Sequence, residues 1–377
     1  MTQRNTSGQS SQSAQLSQPQ RIPAAVLGAT GMVGQRLVAL LAEHPWFALV
    51  GVAASDRSQG RPYGDVVRWR IEGDVPAQVR SLPLVAPTPG AHLPAQVVFS
   101  ALPTAEAQEF EPAFARAGAF VSSNASAYRM SDDVPLIVPE INPGHLDALT
   151  IQRAARAWPG ALVTNPNCST IGLTIALAPL ARFGLRRVIV TTLQAASGAG
   201  YPGVPSLDLI DNVVPYISGE EEKMASETRK ILGAWTAGHF ADAELRLSAH
   251  CNRVPVREGH LECVSVEFEQ RPQPDDILAA WRDFSGEPQR LGLPTAPAHP
   301  IAYRDEPDRP QPARDRDQGA GMTVTVGRLR PCEIFDYKFV CLSHNTIRGA
   351  AGAALLNAEL AYARGLLAQQ GEQGASQ

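Results

Sequence analysis

The stretch VLGATGMVG, Val26 to Gly34, sets glycines at 28, 31 and 34 between a short apolar run and a longer helix-like one. Ala24–Gly28 has the length and composition of a buried strand. The residues that follow, GMVGQRLVALLAEH, place Val33, Leu37, Leu40 and Leu41 at helical spacing. A strand that turns into a helix through such glycines is where a dinucleotide pyrophosphate can rest. Gly28 permits the tight turn, Gly31 lets backbone approach a phosphate, and Gly34 lets the helix pack close. The helix N-terminus adds free N–H groups and the positive end of its dipole. The pattern G-x-x-G-x-x-G is one residue longer than the usual fingerprint, and by itself it also suits a plain glycine-rich turn.

Working outward, the first half repeats this rhythm. FALVGVAA (Phe47–Ala54) and QVVFSALP (Gln96–Pro103) read as buried strands. TAEAQEFEPAFARAG reads as a helix capped by Thr104 and stopped by Gly118, and AFVSSNAS as a further strand. Alternating strands and helices predict a doubly wound, Rossmann-type α/β domain around a parallel sheet. After Pro166 the pattern changes. STIGLTIALAPLARFG reads as a helix ended by Gly184, and RRVIVTTLQAASG as a strand. CNRVPVR and LECVSVEF are strand-like runs joined by EGH, and MTVTVGRLR with EIFDYKFVCLS suggests an antiparallel pair. The second domain is therefore expected to be α+β with a largely antiparallel sheet. The Pro- and charge-rich segment 302–321 reads as an exposed loop, and an Ala/Leu-rich last helix is expected to begin at an Asn345 cap.

Size and charge agree with this division. The 377 residues exceed one ordinary core, and 44 % apolar with 19 % charged residues suits a globular interior. A net charge of -4 argues against a nucleic-acid partner, and no apolar run is long enough to span a membrane. Residues 1–21, rich in Gln and Ser, have no apolar h-region and little to bury, so a disordered tail is expected. Five scattered cysteines form neither a disulfide framework nor a CxxC metal pair, which suits a reducing cytoplasm and no metal.

One of those cysteines has chemical promise. TNPNCSTIG (Thr164–Gly172) puts Cys168 in the first turn of a helix, where the dipole favours a negative sulfur. On that stretch alone, Cys168 could equally be a small residue opening a buried helix. NRVPVREGH adds Arg253, whose guanidinium fork matches a carboxylate, and His260, a general acid/base near neutral pH. QAASGAGYPG supplies Gln194 at the mouth of a glycine-rich loop. In ASDRSQGR, Arg57 flanked by Ser55 and Ser58 favours the 2′-phosphate of NADP, although Asp56 would suit NAD.

Together these residues resemble the aspartate-semialdehyde dehydrogenases, in particular the branch typical of archaea and fungi. GATGMVGQR, ASDRSQGR, SALP, SSNASAYRM, VPEIN, TNPNCST, QAASGAGYPG, GEEEKM, NRVPVREGH and HNTIRGAAG occur in the family's order from about Ile22 to Leu367. The resemblance implies NADPH-dependent, reversible conversion of L-aspartyl 4-phosphate to L-aspartate 4-semialdehyde. That reaction feeds lysine (through diaminopimelate), threonine and methionine biosynthesis. It implies Cys168 as nucleophile through a thioacyl intermediate, His260 as acid/base and Gln194 as the group orienting the thioacyl carbonyl. Arg253 would bind the α-carboxylate, and Glu220 the amino group, with Glu221 and Glu222 competing. Arg129, Asn167 and Lys223 would clamp phosphate. Cofactor contacts carried over are Thr30, Gly31, Met32, Val33, Ser55, Arg57, Ser58, Ser100, Ala101, Ser197, Gly198, Asn345 and Thr346, beside Gly28. The implied domains are 22–166 with 345–370 for NADP, and 167–344 for catalysis and dimerisation in a homodimer or homotetramer. A related reductase acting on an acyl thioester such as malonyl-coenzyme A, or on another acyl phosphate such as an N-acetylglutamyl phosphate, is the nearest rival. A non-catalytic nucleotide sensor with an inert Cys168 is a more distant one.

Overall fold

The computed structural model describes residues 21–54 and 58–367. The Gln/Ser-rich stretch 1–20 and the residues Ser55, Asp56 and Arg57 lie outside them. Six strands form the first sheet: β1 (Ile22–Leu27), β2 (Phe47–Ala53), β3 (Leu84–Val85), β4 (Val97–Ser100), β5 (Phe120–Ser123) and β6 (Ala161–Thr164). They pair throughout in parallel, in the order β3-β2-β1-β4-β5-β6. The central strands are buried on both faces, which explains their continuous apolar runs.

Alternate residues of these strands serve opposite faces. Ala24, Val26, Val97 and Phe99 pack with Leu37, Val38 and Leu41 of α1 (Met32–Ala42). Ala25, Leu27, Val98 and Val121 pack with Ala107, Phe114 and Ala115 of α2 (Thr104–Arg116). Pro103, not Thr104, occupies the cap position of α2. Thr104 is already helical, and its hydroxyl pairs with Ser126 instead of the backbone.

Downstream come α3 (Ala148–Arg156) and α4 (Cys168–Leu177), then β7 (Leu185–Gln194). Gly184 ends the helical run before β7 in a left-handed conformation. Helix α5 (Glu220–Leu232) and the hairpin β8 (Ala234–Thr236), β9 (His239–Ala241) precede β10 (Arg246–Arg253) and β11 (His260–Phe268). Helix α6 (Pro274–Arg282) leads to β12 (Ile301–Arg304), β13 (Val324–Pro331) and β14 (Tyr337–Ser343). The second sheet runs β10-β7-β11-β14-β13-β12. Its inner pairings are antiparallel, whereas both edge pairings are parallel. The runs joined by EGH therefore do not pair with each other, because β7 lies between them. One face packs Val190, Val264 and Phe339 under Ile171, Ile175, Met224 and Trp281 from α4, α5 and α6. The other carries exposed residues such as Ile189 and Cys263.

Two sequence expectations are corrected at the C-terminal end. Segment 302–321 is not a plain exposed loop. It starts in edge strand β12, and Asp315, 1 % exposed, ion-pairs with Arg309 and Arg304 and accepts from the Gln311 N–H. Nor does Asn345 cap the last helix. A wide turn over Ile347–Ala351 precedes α7 (Gly352–Ala363), and the Asn345 amide bonds Ser197 Oγ and the Gly259 N–H. Helix α7 lies on the first sheet, where Ser122 Oγ donates to the Ala354 carbonyl.

Candidate active site

Cys168 lies at the carboxyl end of β6, where Asn165-Pro166-Asn167 turns the chain into α4. Asn167 is the true cap. Its Oδ1 accepts from the N–H groups of Ser169 and Thr170 at 3.0 and 3.4 Å, which leaves Cys168 as the first helical residue. Cys168 Sγ is 3.1 Å from His260 Nε2. The Ala195 N–H donates to His260 Nδ1 at 3.0 Å, so in the neutral ring the proton sits on Nε2 and points at sulfur. Burial, with the Arg253 and His344 charges, holds His260 well below the usual histidine range. Cys168 is pushed up to about 12 by burial and the Glu220 carboxylate, against which Arg253, Arg129 and the helix N-terminus act. At neutral pH the pair is therefore thiol and neutral imidazole.

The second sheet assembles the other partners on one rung. β7 and β10 run parallel in register, so Gln194 and Arg253 are neighbours at their carboxyl ends. His260 opens the antiparallel β11 at the same end, facing Ser343 of β14. Arg253 Nη1 donates to the Ala195 carbonyl at 2.8 Å. Gly198 sits so close that a Cβ there would come within 2.8 Å of Arg253 Nη1 and 3.2 Å of His260 Cε1.

Helix α5 closes the site with one polar face. Glu220, Lys223, Glu227 and Lys230 recur at three- and four-residue spacing along it. Asn167 Nδ2 donates to both oxygens of Glu220 at 2.8 Å, Gln194 Nε2 to one at 3.3 Å, and Lys223 Nζ lies 3.5 Å away. Glu221 instead accepts from the Cys251 N–H, and Glu222 is exposed, so Glu220 alone of the three faces Cys168. Glu227 and Lys230 are site residues that the sequence motifs did not single out. Glu227 joins Arg129 (3.0 Å) to the Asn167 N–H (2.6 Å), and Lys230 donates to the carbonyls of Arg129, Ser131 and Val134. Their signal was the spacing within EEEKMASETRK, which the run of three glutamates obscured.

The predicted cofactor residues fall into two groups. Gly28 (φ 71°) ends β1 so tightly that a Cβ would lie 2.6 Å from the Ala101 carbonyl, which brings the loop after β1 against the end of β4, at Ser100 and Ala101. Thr30, Gly31, Met32 and Val33 enter α1, whose first turn has no acidic residue and no side-chain cap. Those N–H groups fit a pyrophosphate. Ser197 and Gly198 form the second group with Asn345 and Thr346. Thr346 Oγ1 donates to Glu258 Oε1, and Glu258 also pairs with Arg36 of α1 at 3.0 Å. A cleft of about 220 Å³ lined by Met32, Arg70, Ser197, Tyr201, Arg257 and Glu258 joins the groups. Ser58 follows the undescribed Ser55–Arg57, and no contact places it in that cleft. Among the described residues no cluster could hold a metal ion, and no helix is long and apolar enough to cross a membrane.

Known proteins resemble this chain over most of its length. A family model described as semialdehyde dehydrogenase, NAD binding domain, matches residues 23–149, and one described as semialdehyde dehydrogenase, dimerisation domain, matches 177–348. The aspartate-semialdehyde dehydrogenase of Archaeoglobus fulgidus is 51 % identical over 340 residues, covering 90 % of this chain and 98 % of that one. The chain belongs to the aspartate-semialdehyde dehydrogenase family. The Cryptococcus neoformans aspartate-semialdehyde dehydrogenase is 48 % identical, covering 92 % of this chain and 98 % of its own length. A crystal structure of the Candida albicans aspartate-semialdehyde dehydrogenase with NADP superposes with a TM-score of 0.84 at 43 % identity, covering 92 % and 100 %. The branch is thus the one its motifs resemble. Helix α7 lies beyond the segment matched as a dimerisation domain and packs on the nucleotide-binding sheet.

Proposed function

We propose that the chain converts L-aspartyl 4-phosphate and NADPH reversibly to L-aspartate 4-semialdehyde, NADP and phosphate. The observation that carries this reading is the Cys168–His260 contact at the end of a dinucleotide cleft, ringed by Gln194, Arg253 and Glu220. Arg253 binds the α-carboxylate in a bidentate pair, and Glu220 the α-ammonium. Pairing Glu220 with that cation removes the charge that most opposes a Cys168 thiolate. The sulfur then forms a bond to the acyl carbon as the carbon–oxygen bond to phosphate breaks, and the thiol proton leaves on the phosphate, because His260 Nε2 already carries one. Arg129, Lys223 and the Asn167 amide hold the departing phosphate. Gln194 directs its N–H at the thioacyl oxygen as negative charge gathers there. NADPH supplies the hydride that reduces this thioester. His260 exchanges its proton at Nε2, and its N–H stabilises the sulfur when the carbon–sulfur bond breaks and the aldehyde leaves.

The test is NADPH formation from aspartate semialdehyde and NADP, with and without phosphate, run beside NAD and beside malonyl-coenzyme A reduction. Phosphate-dependent turnover with NADP is expected; turnover on malonyl-coenzyme A alone would overturn the assignment. The open face of the second sheet, with Ile189 exposed, supports a homodimer or homotetramer. Light scattering that gave only monomer mass would refute it. The reducing cytoplasm is the proposed location, which the free cysteines among the described residues support.

A further inference from the structure

The inner face of the second sheet carries two successive polar rungs. The upper one holds Arg253, Gln194, His260 and Ser343. Two residues deeper along each strand, the lower rung holds Cys251, Thr192, Glu262 and Cys341, with Thr192 in register with both Cys251 and Glu262. Below it the face turns apolar with Val190, Val264 and Phe339. A side chain on the lower rung is too deep to meet substrate, but it can reach the catalytic group above it.

Thr192 does this. Its Oγ1 donates to Gln194 Oε1 at 3.1 Å, while Gln194 Nε2 donates to Glu220 Oε2 at 3.3 Å. Thr192 is 0 % exposed and Gln194 1 %, so no bulk water competes for either end of the amide. We infer that Thr192 is a positioning residue whose hydroxyl engages the Gln194 carbonyl and so keeps the amide N–H turned toward the reacting carbonyl. The inference rests on the proposed role of Gln194 as donor to the thioacyl oxygen. Turned over, the Gln194 carbonyl would face both the Glu220 carboxylate and the developing oxyanion, and both contacts are repulsive. The hydroxyl matters most when substrate occupies Glu220, because the amide then loses its other protein partner. Without it, a buried carbonyl is left unpaired and the donor is free to rotate off its line.

Thr192→Val keeps the shape and β-branching of the side chain and removes only the hydroxyl. Misaligned donors in catalytic sites cost rate more than binding, so kcat should fall by about 10-fold or more, with KM for semialdehyde and phosphate unchanged within about two-fold. NADP binding should stay at its wild-type value and the thermal midpoint should drop by only a few degrees, the cost of one unpaired buried carbonyl, and Thr192→Ser should recover kcat to within about three-fold. The controls are Gln194→Ala and the Thr192→Val/Gln194→Ala pair, which should be no slower than Gln194→Ala alone. Wild-type kcat in Thr192→Val beside an impaired Gln194→Ala overturns the inference, as does a Ser variant as slow as the Val variant. Wild-type kcat in Gln194→Ala would instead overturn the role proposed for Gln194.

Discussion

Glu262 offers the sharpest quantitative test of the site's interior. It lies one rung below His260, 1 % exposed, with Oε2 3.5 Å from Cys341 Sγ and no ion-pair partner among the described residues. Burial raises its carboxyl from 4.5 to about 8. Between those values the unfolded carboxylate is ionised while the folded one keeps its proton, so folding takes up a proton. Stability then falls with rising pH by about 1.4 kcal/mol per unit, about 5 kcal/mol across the whole window and about 3 kcal/mol by pH 7. Glu262→Gln preserves the shape and removes the titration, while its extra unpaired N–H costs about 1–3 kcal/mol at every pH. The variant should therefore match or fall below wild type at pH 5 and exceed it at pH 8. Scanning calorimetry at pH 5, 6, 7 and 8 measures this as a difference in thermal midpoint that grows with pH. Titrations elsewhere, such as Glu111 raised to about 7 and His145 lowered to about 4, are common to both proteins and cancel. A midpoint difference that stays constant from pH 5 to 8 would refute the reasoning.

Other consequences concern the reaction and the scaffold. Cys168→Ala should abolish phosphate-dependent turnover and leave NADP affinity near wild type, as fluorescence titration would report; a collapse of NADP binding would make Cys168 structural. His260→Asn should lower kcat by about 10²–10⁴-fold, the range of a positioned acid/base. Because burial holds His260 well below its usual range, wild-type kcat/KM should show no inflection at pH 6.5, and one there that vanished in the variant would contradict the neutral, buried ring. Glu140 and Arg348 form a bidentate pair at 2.8 and 2.6 Å with no side-chain exposure. Glu140→Ala strands a buried guanidinium and should destabilise by about 3–5 kcal/mol in chemical denaturation. Replacing both residues by apolar ones of similar volume should recover part of that loss.

Local chemistry makes much of the molecule legible in its sequence. The turn after β1 is readable because only glycine tolerates its positive φ and the close approach of Ala101, and these demands leave a mark on single residues. Strands buried on both faces announce themselves as apolar runs, and a cysteine after Pro-Asn at a helix start announces a candidate nucleophile. Features that depend on distant pairing leave no such mark. That β7 enters between β10 and β11 comes from strand pairing across about 70 residues of sequence, and it is this insertion that puts Gln194 beside Arg253. The cap on α2 and the role of Asn345 escape a sequence reading because side-chain oxygens choose among partners that only the folded chain presents. Segment 302–321 looks solvated because its arginines and aspartates are charged, but Asp315 finds its cations in the same segment and is buried with them. Read from the chain alone, the βαβ domain, Cys168 as a candidate nucleophile and the kinds of residue around it are already visible. Only the packing of distant segments shows which nitrogen of His260 carries the proton, that Glu220 and not Glu221 or Glu222 faces the sulfur, and that Glu227 ties Arg129 to the turn before Cys168. Composition and spacing can bring a residue type to a neighbourhood, but hydrogen-bond direction and burial are settled only by what packs against it.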